Sequence, residues 1–280
     1  MKAAYLYSTF IVLVLLFSAC QRDSIADIDT KTAVVKAYLF AGQQVDSFQV
    51  TQSYSYAQQD TNLITLDDLD ITITKDQEAF PLFPRGEGIY ENPDLVIEPG
   101  QVYQMDFDWQ GETISAETYI PETREAVIST TEIEMEKVDF SGGFGGGPGI
   151  QPETVDPVDI SWENPEGDYY YVVIRNIEDD PEEIIELPEN VDFGDRRRFF
   201  FISEPEIMDV YTIDPRRSLT QFGTHQIIVY RVNPEYAALY ETSGNSSLSL
   251  VQPPSNIVNG LGIFTGVSSD TVYLEVTKAQ

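Results

Sequence analysis

The sequence contains one cysteine, Cys20, and one histidine, His225, in 280 residues. A single cysteine cannot form a disulfide bond within the chain, so burial of apolar side chains has to stabilise the fold. Zinc sites built from cysteine and histidine are excluded for the same reason. A serine triad would have to use His225, and the Gly-x-Ser-x-Gly nucleophile motif does not occur. The scarcity of both residues predicts a protein that is not an enzyme and holds no metal and no cofactor.

Basic residues are also few, because 16 lysines and arginines stand against 47 aspartates and glutamates. The resulting formal net charge of −31 repels the phosphate backbone of nucleic acids instead of releasing its counterions. We therefore expect no nucleic-acid partner.

Long apolar runs are missing, since the longest uninterrupted one covers residues 10–17. A membrane-spanning helix needs about 20 apolar residues, so this run is too short to cross a bilayer. It lies between Met1-Lys2 and Ser18-Ala19-Cys20, which is typical of a secretory signal peptide that ends at a lipobox. The sequence therefore predicts a signal peptide over residues 1–19 and a lipid anchor on the sulfur of Cys20.

Residues 20–29 are polar and predict a short tether behind the anchor. Each buried acyl methylene contributes about 0.8 kcal/mol to membrane partitioning, so the acyl chains of a lipoprotein hold it firmly without a spanning helix. The tether loosely resembles acid-rich signals that send some lipoproteins to the cell surface. The sequence leaves open whether the protein faces the cell surface or the periplasm.

Beyond the tether, apolar and polar residues alternate with period two, which is typical of half-buried strands. The alternation occurs at residues 47–54, 71–74, 103–109 and 114–120. Turn signals such as Pro99-Gly100 and Gly111 separate these segments at short intervals, as in an antiparallel sandwich. Residues 30–122 are therefore predicted to form one β-sandwich domain.

A second β-sandwich domain is predicted over residues 123–280, so the fold class is all-β. Its strands are expected at residues 158–162, 169–176, 198–202, 225–232 and 271–276. The glycine-rich segment 141–149 has too little side chain to pack and predicts a flexible loop. Its spacing matches neither a dinucleotide fingerprint nor a phosphate-binding loop.

One short helix is predicted within the second domain. Asn233 can cap it, Pro234 suits the first helical position, and Gly244 can end it. Tyr236, Leu239 and Tyr240 share one face of this helix, and we expect that face to pack on the sheet.

The aromatic residues Trp109, Trp162 and 169–171 could form a stacking platform for sugars or peptides. Alternation along a strand places Tyr170 opposite its two neighbours, and it places Trp162 in phase with apolar residues. The sequence therefore favours burial of Trp162 and of at least one face of 169–171.

Two acidic clusters are candidates for calcium sites, because carboxylate oxygens are the ligands that calcium prefers. The first consists of Asp67, Asp68 and Asp70, and the second lies between residues 178 and 183. Neither follows the spacing of a known calcium loop. The alternative, which the spacing favours, is that both are solvated loops.

The arginine cluster Arg196, Arg197 and Arg198 is unusual in so acidic a chain. One interpretation is pairing with acids at 178–186. The other is a partner contact, in which the forked donors of arginine bind an acidic protein surface or a lipid phosphate. The sequence leaves both interpretations open.

Three passages carry a family resemblance. The first covers residues 88–90, 99–103, 111 and 118–121. The second is Val-Asp-Ile-Ser-Trp-Glu-Asn-Pro at 158–165, followed by three tyrosines at 169–171. The third and most specific is the helix at 234–240, followed by Pro-Pro-Ser-Asn-Ile-Val-Asn-Gly-Leu-Gly-Ile-Phe at 253–264.

These passages resemble a family of Bacteroidota lipoproteins called domain of unknown function 4249, and they span most of the chain. The resemblance implies an immunoglobulin-like N-terminal domain. It further implies an outer-membrane lipoprotein, often encoded beside a TonB-dependent receptor, with no established catalytic activity. It assigns no functional residues, and the segments 141–149 and Arg196–Arg198 depart from the family pattern.

The leading hypothesis is a non-enzymatic outer-membrane lipoprotein that assists a TonB-dependent transporter in nutrient capture or uptake. An adhesin or envelope scaffold is the first alternative. The second is a surface glycan hydrolase that uses a pair of carboxylates, for which 47 acidic residues offer many pairs.

Overall fold

The structure is a computed structural model that describes residues 31–53, 63–139, 155–186, 201–243 and 254–279. Several predicted features lie outside these ranges, namely residues 1–29 with Cys20, the loop 141–149, the arginines Arg196, Arg197 and Arg198, and Gly244.

Strands make up most of the regular structure, which confirms the predicted all-β fold class. The described residues contain two helices, α1 Pro215–Ser218 and α2 Pro234–Ser243. The strands are β1 Ala33–Phe40, β2 Gln44–Gln52, β3 Ile64–Thr65, β4 Thr72–Lys75, β5 Glu78–Pro81, β6 Phe83–Gly86, β7 Ile89–Val96, β8 Val102–Trp109, β9 Glu112–Tyr119, β10 Val127–Ile128, β11 Glu132–Met135, β12 Val138–Asp139, β13 Val158–Ser161, β14 Tyr169–Asn176, β15 Ile185–Glu186, β16 Phe201–Ile202, β17 Glu206–Ile207, β18 Val210–Ile213, β19 Gly223–Val232 and β20 Leu261–Lys278.

The largest sheet has 11 strands, and its main path runs β16-β14-β19-β20-β1-β2-β7-β6. Strand β20 connects the two parts of this path, because it pairs antiparallel with β19 and parallel with β1. A second sheet has the order β5-β4-β8-β9, and a third has the order β10-β13-β18. Strands β12 and β15 form a separate pair.

Buried side chains form two clusters. One includes Phe48, Tyr90 and Phe107 from strands β2, β7 and β8, and the other includes Trp162 and Ile227 from the segment after residue 122. Strand β20 contributes to both, with Phe264 in the first cluster and Leu274 in the second. A fully buried side chain of this size contributes about 1.5 to 3 kcal/mol. The division into domains at residues 30–122 and 123–280 stays a prediction.

Local patterns located several elements closely. Strand β14 covers the predicted residues 169–176, and α2 begins at the predicted Pro234. Trp162 and Tyr170 are 6% and 2% exposed, which confirms that they belong to the core. Strand β20 begins ten residues before the predicted 271, and β16 covers residues 201–202, the described part of the predicted 198–202.

Gly262 shows why a glycine stands at the start of β20. Its φ is +105°, a region that favours glycine, and it lies opposite Val35 in the parallel pairing of β20 with β1. A Cβ at this position would lie 1.9 Å from the Val35 carbonyl oxygen. The glycine therefore serves the close approach of two backbones.

Within the described part of the chain, no helix has the length and apolar character to cross a membrane.

Candidate functional site

The aromatic cluster beneath α2 is the first candidate site. It consists of Tyr38 on β1, Tyr171 on β14, Tyr230 on β19, and Tyr236 and Tyr240 on α2, and it is called the tyrosine cluster below. The ring of Tyr171 stacks on the rings of Tyr230 and Tyr236, with centroid distances of 4.7 Å and 5.6 Å. The ring of Tyr38 meets Tyr236 edge-on at 6.0 Å. These contacts hold α2 on the sheet, as the sequence predicted for Tyr236.

Alternation along β14 explains how this cluster forms. Tyr170 points into the core, where its ring lies 5.0 Å from that of Trp162. Tyr171 therefore points to the opposite face, towards α2. The predicted stacking platform of Trp109, Trp162 and 169–171 does not form as one surface, because Trp109 and Trp162 pack against two different cores.

The hydroxyl groups of the tyrosine cluster also interact. The Tyr236 and Tyr240 oxygens lie 3.2 Å apart, within hydrogen-bonding distance. Burial raises the pKa of Tyr171 above the ordinary 10.0. Burial, reinforced by the hydrogen bond with Tyr240, raises the pKa of Tyr236 further. The cluster is therefore a group of aromatic rings and hydroxyls in a strongly acidic protein.

The raised tyrosine pKa values predict a loss of stability at alkaline pH. A pKa that is raised in the folded state stabilises the fold below pH 10, and this contribution is lost as the pH rises further. We expect Tyr236→Phe to show a smaller fall in the free energy of unfolding between pH 8 and pH 11 than the wild type. Urea unfolding at both pH values measures this difference. Tyr273→Phe is the control, because Tyr273 is 50% exposed and lies outside the cluster. An equal fall in the free energy of unfolding between pH 8 and pH 11 in the wild type and in Tyr236→Phe would contradict the prediction.

A cleft of about 340 Å³ adjoins the start of α2 and is the second candidate site. It lies beside β9, the edge strand of its sheet. Its lining combines two carboxylates, three polar side chains and three apolar ones. The residues are Val102, Glu117, Thr118, Tyr119, Asn233, Pro234, Glu235 and Asn256.

A hydrogen-bond network fixes one wall of this cleft. Glu235 accepts hydrogen bonds from the hydroxyls of Thr265 and Thr118, at 3.0 Å and 3.3 Å. The Thr118 hydroxyl accepts from the Asn233 amide at 3.0 Å, and the same amide donates to the Tyr119 carbonyl at 2.8 Å. Asn233 does occupy the cap position, where its carbonyl accepts from the first turn of α2. Its side-chain amide, however, ties the helix to β9.

A partly buried ion pair gave no signal in the sequence. Arg231 on β19 has a side chain that is only 9% exposed, and its guanidinium pairs with the Asp168 carboxylate. It also donates to the Glu122 carbonyl at 3.0 Å. Glu166 lies 3.9 Å from the same guanidinium and binds Arg124 at 2.9 Å. These ion pairs join the segment after β9, which contains Glu122 and Arg124, to the second buried cluster.

Three of the acids proposed as calcium ligands contact other parts of the fold. Asp67 accepts from the Gly88 amide at 2.6 Å and from the Thr65 hydroxyl at 3.1 Å. Glu178 accepts from the Thr224 amide at 3.1 Å, and Glu182 lies 3.0 Å from the Lys137 ammonium. Among the described residues no group of three or more acids, histidines or cysteines is arranged to hold a metal ion.

His225 is buried on β19 and lies 3.1 Å, through Nδ1, from the Gly223 carbonyl oxygen. Burial lowers its pKa below the ordinary 6.5, so the ring is neutral at physiological pH. This contact is with the backbone, which is the arrangement of a core histidine.

Comparison with known proteins identifies the family. A family model described as "Domain of unknown function (DUF4249)" matches residues 22–272. The chain belongs to this family. The match includes both candidate sites and the three passages that carried the resemblance.

A comparison with curated proteins finds no significant match to this chain. Among solved structures, the chain is similar to a crystal structure of a Salmonella alpha-2-macroglobulin mutant, with a TM-score of 0.24 and 10% sequence identity. The similarity covers 89% of this chain and 15% of that much longer chain. A TM-score this low carries no argument about function.

Proposed function

We propose that the protein is a non-enzymatic lipoprotein, anchored through Cys20 in the outer membrane, that assists a TonB-dependent transporter in the capture or uptake of a nutrient. The observation that carries the proposal is the leader, with its short apolar run and the closing Ser18-Ala19-Cys20. Such a leader exports the chain and leaves a cysteine at the membrane for acylation.

The geometry supports a binding role over a catalytic one. The acids Asp67, Glu178 and Glu182 bind backbone amides, hydroxyls and lysines. His225 faces a backbone carbonyl. The tyrosine cluster and the cleft, by contrast, combine aromatic, apolar and hydrogen-bonding groups, which is the usual composition of a binding surface.

Co-purification from native membranes tests the proposal. A C-terminally tagged protein, extracted in mild detergent, is expected to retain a TonB-dependent transporter that mass spectrometry identifies. The control is residues 1–29 fused to an unrelated globular domain, which shares the anchor and lacks the β body. A transporter that is absent from the eluate, or equally abundant with the control, would contradict the accessory role and favour the scaffold alternative.

A further inference from the structure

The cleft lies beside a position of the edge strand β9 at which outward backbone groups have no partner among the described residues. In an antiparallel strand, one residue directs both its amide and its carbonyl towards the strand on one side. The next residue directs both groups towards the opposite side. The Ser115 amide and carbonyl bind Val258, on the side away from β8, at 3.3 Å and 2.8 Å. Thr113, Glu117 and Tyr119 therefore direct their backbone groups to the same outer side.

Half of the outward groups of Thr113, Ser115, Glu117 and Tyr119 are covered, including both groups of Ser115. The Thr113 carbonyl accepts from the Asn259 side chain at 3.0 Å, and the Tyr119 carbonyl accepts from Asn233 at 2.8 Å. Glu117 lies between the covered positions and borders the cleft. Its backbone amide and carbonyl have no partner within the described ranges of the chain. Edge strands with free backbone groups pair readily with another extended chain.

We propose that this opening docks a short extended segment of a partner protein that carries a basic side chain. A residue that exchanges hydrogen bonds with Glu117 places its own side chain on the same face as the Glu117 carboxylate, at the separation of a cross-strand pair. Opposite charges stabilise such pairs and like charges destabilise them. The two charged side chains that line the cleft, Glu117 and Glu235, are both acidic.

Apolar contacts complete the surface. Val102 and Tyr119 are directly paired across β8 and β9 and are 45% and 43% exposed, on the same face as Glu117. They can cover the aliphatic stem of a lysine or arginine. The cleft volume of about 340 Å³ lies at the small end of ligand sites, which span about 300 to 1,000 Å³. The surface therefore fits a few residues of extended chain. The proposal does not depend on the membrane role.

Peptide binding to the detergent-solubilised full chain tests the proposal. The probe is a blocked, fluorescent Val-Arg-Val peptide, measured by anisotropy. Two matched probes separate its features: one replaces the arginine by glutamate, and the other keeps the arginine but methylates its backbone nitrogen. The parent peptide is expected to bind, and both matched probes are expected to bind at least fivefold more weakly.

Variants of the protein locate the binding. Glu117→Gln should weaken binding of the parent peptide about fivefold, because a cross-strand ion pair contributes up to about 1 kcal/mol. Glu117→Pro removes the outward amide, which an edge strand tolerates, and should abolish binding. Glu112→Gln, on the same strand and outside the cleft, is the control and should bind as wild type does. The proposal would be overturned if the parent peptide did not bind. It would also be overturned if the methylated peptide bound as well as the parent peptide, or if Glu117→Gln bound the parent peptide as well as the wild type does. If Glu117→Pro does not fold, the methylated peptide tests the same backbone contact.

Discussion

Gly262→Ala is expected to cost at least 4 kcal/mol of stability, the largest single-residue effect that we predict. An alanine would strain the backbone at a φ of +105°, which costs about 1 to 3 kcal/mol. Its Cβ would also lie 1.9 Å from the Val35 carbonyl oxygen and 2.9 Å from the carbonyl carbon. Both strands are fixed by pairing along their length, so the clash has to separate β20 from β1. Because a typical domain has about 5 to 15 kcal/mol in total, this loss removes a large part of the stability.

Gly86→Ala is the matched control for this prediction. Gly86 has a φ of +101°, almost that of Gly262, but a Cβ there would have no atom within 4 Å. The control therefore carries the backbone strain without the clash, and we expect it to fold with a loss of about 1 to 2 kcal/mol. Urea unfolding followed by circular dichroism compares the two. Equal losses would show that the approach of β20 to β1 is not as close as described.

Arg231→Met should produce the second largest loss, about 3 kcal/mol. The substitution keeps the apolar stem but removes the partner of Asp168 and the donor to the Glu122 carbonyl. Removing one member of a buried ion pair costs about 3 to 5 kcal/mol, and the lower end applies because Asp168 is 32% exposed. Thermal or urea unfolding measures the loss.

Arg217→Met is the control for the buried pair. Arg217 pairs with Asp214 at 3.4 Å, but its side chain is 87% exposed, so the change should cost less than about 1 kcal/mol. Combining Arg231→Met with Asp168→Asn should cost clearly less than the sum of the two single changes, because both remove the same contact. Additive losses would mean that Arg231 and Asp168 do not interact.

Sequence patterns identified elements whose side chains alternate between core and solvent. Strand β14 follows this pattern over its whole length, and α2 carries its start signal at Pro234. Strand β20 was located only in its second half, since residues 263–268 are all buried and show no alternation. Long-range pairing with β1 and β19 sets that burial, and no local pattern encodes it.

Less of the candidate sites than of the fold could be predicted from the sequence. Tyr171, Tyr236 and Tyr240 were recognised as notable, but Tyr38 and Tyr230 join them only because the strand order places β14, β19, β20 and β1 side by side. The opening at Glu117 depends on contacts from Val258 and Asn233, which are distant in sequence. The pair of Arg231 with Asp168 spans 63 residues and leaves no local signal.

Metabolic labelling with palmitate, combined with membrane fractionation, tests the central claim most directly. We expect the wild type to incorporate the label and to sediment with the outer membrane. Cys20→Ser is expected to lose the label and to leave the membrane fraction. An unlabelled wild type, or a Cys20→Ser protein that stays equally membrane-bound, would contradict the lipid anchor and the function proposed from it.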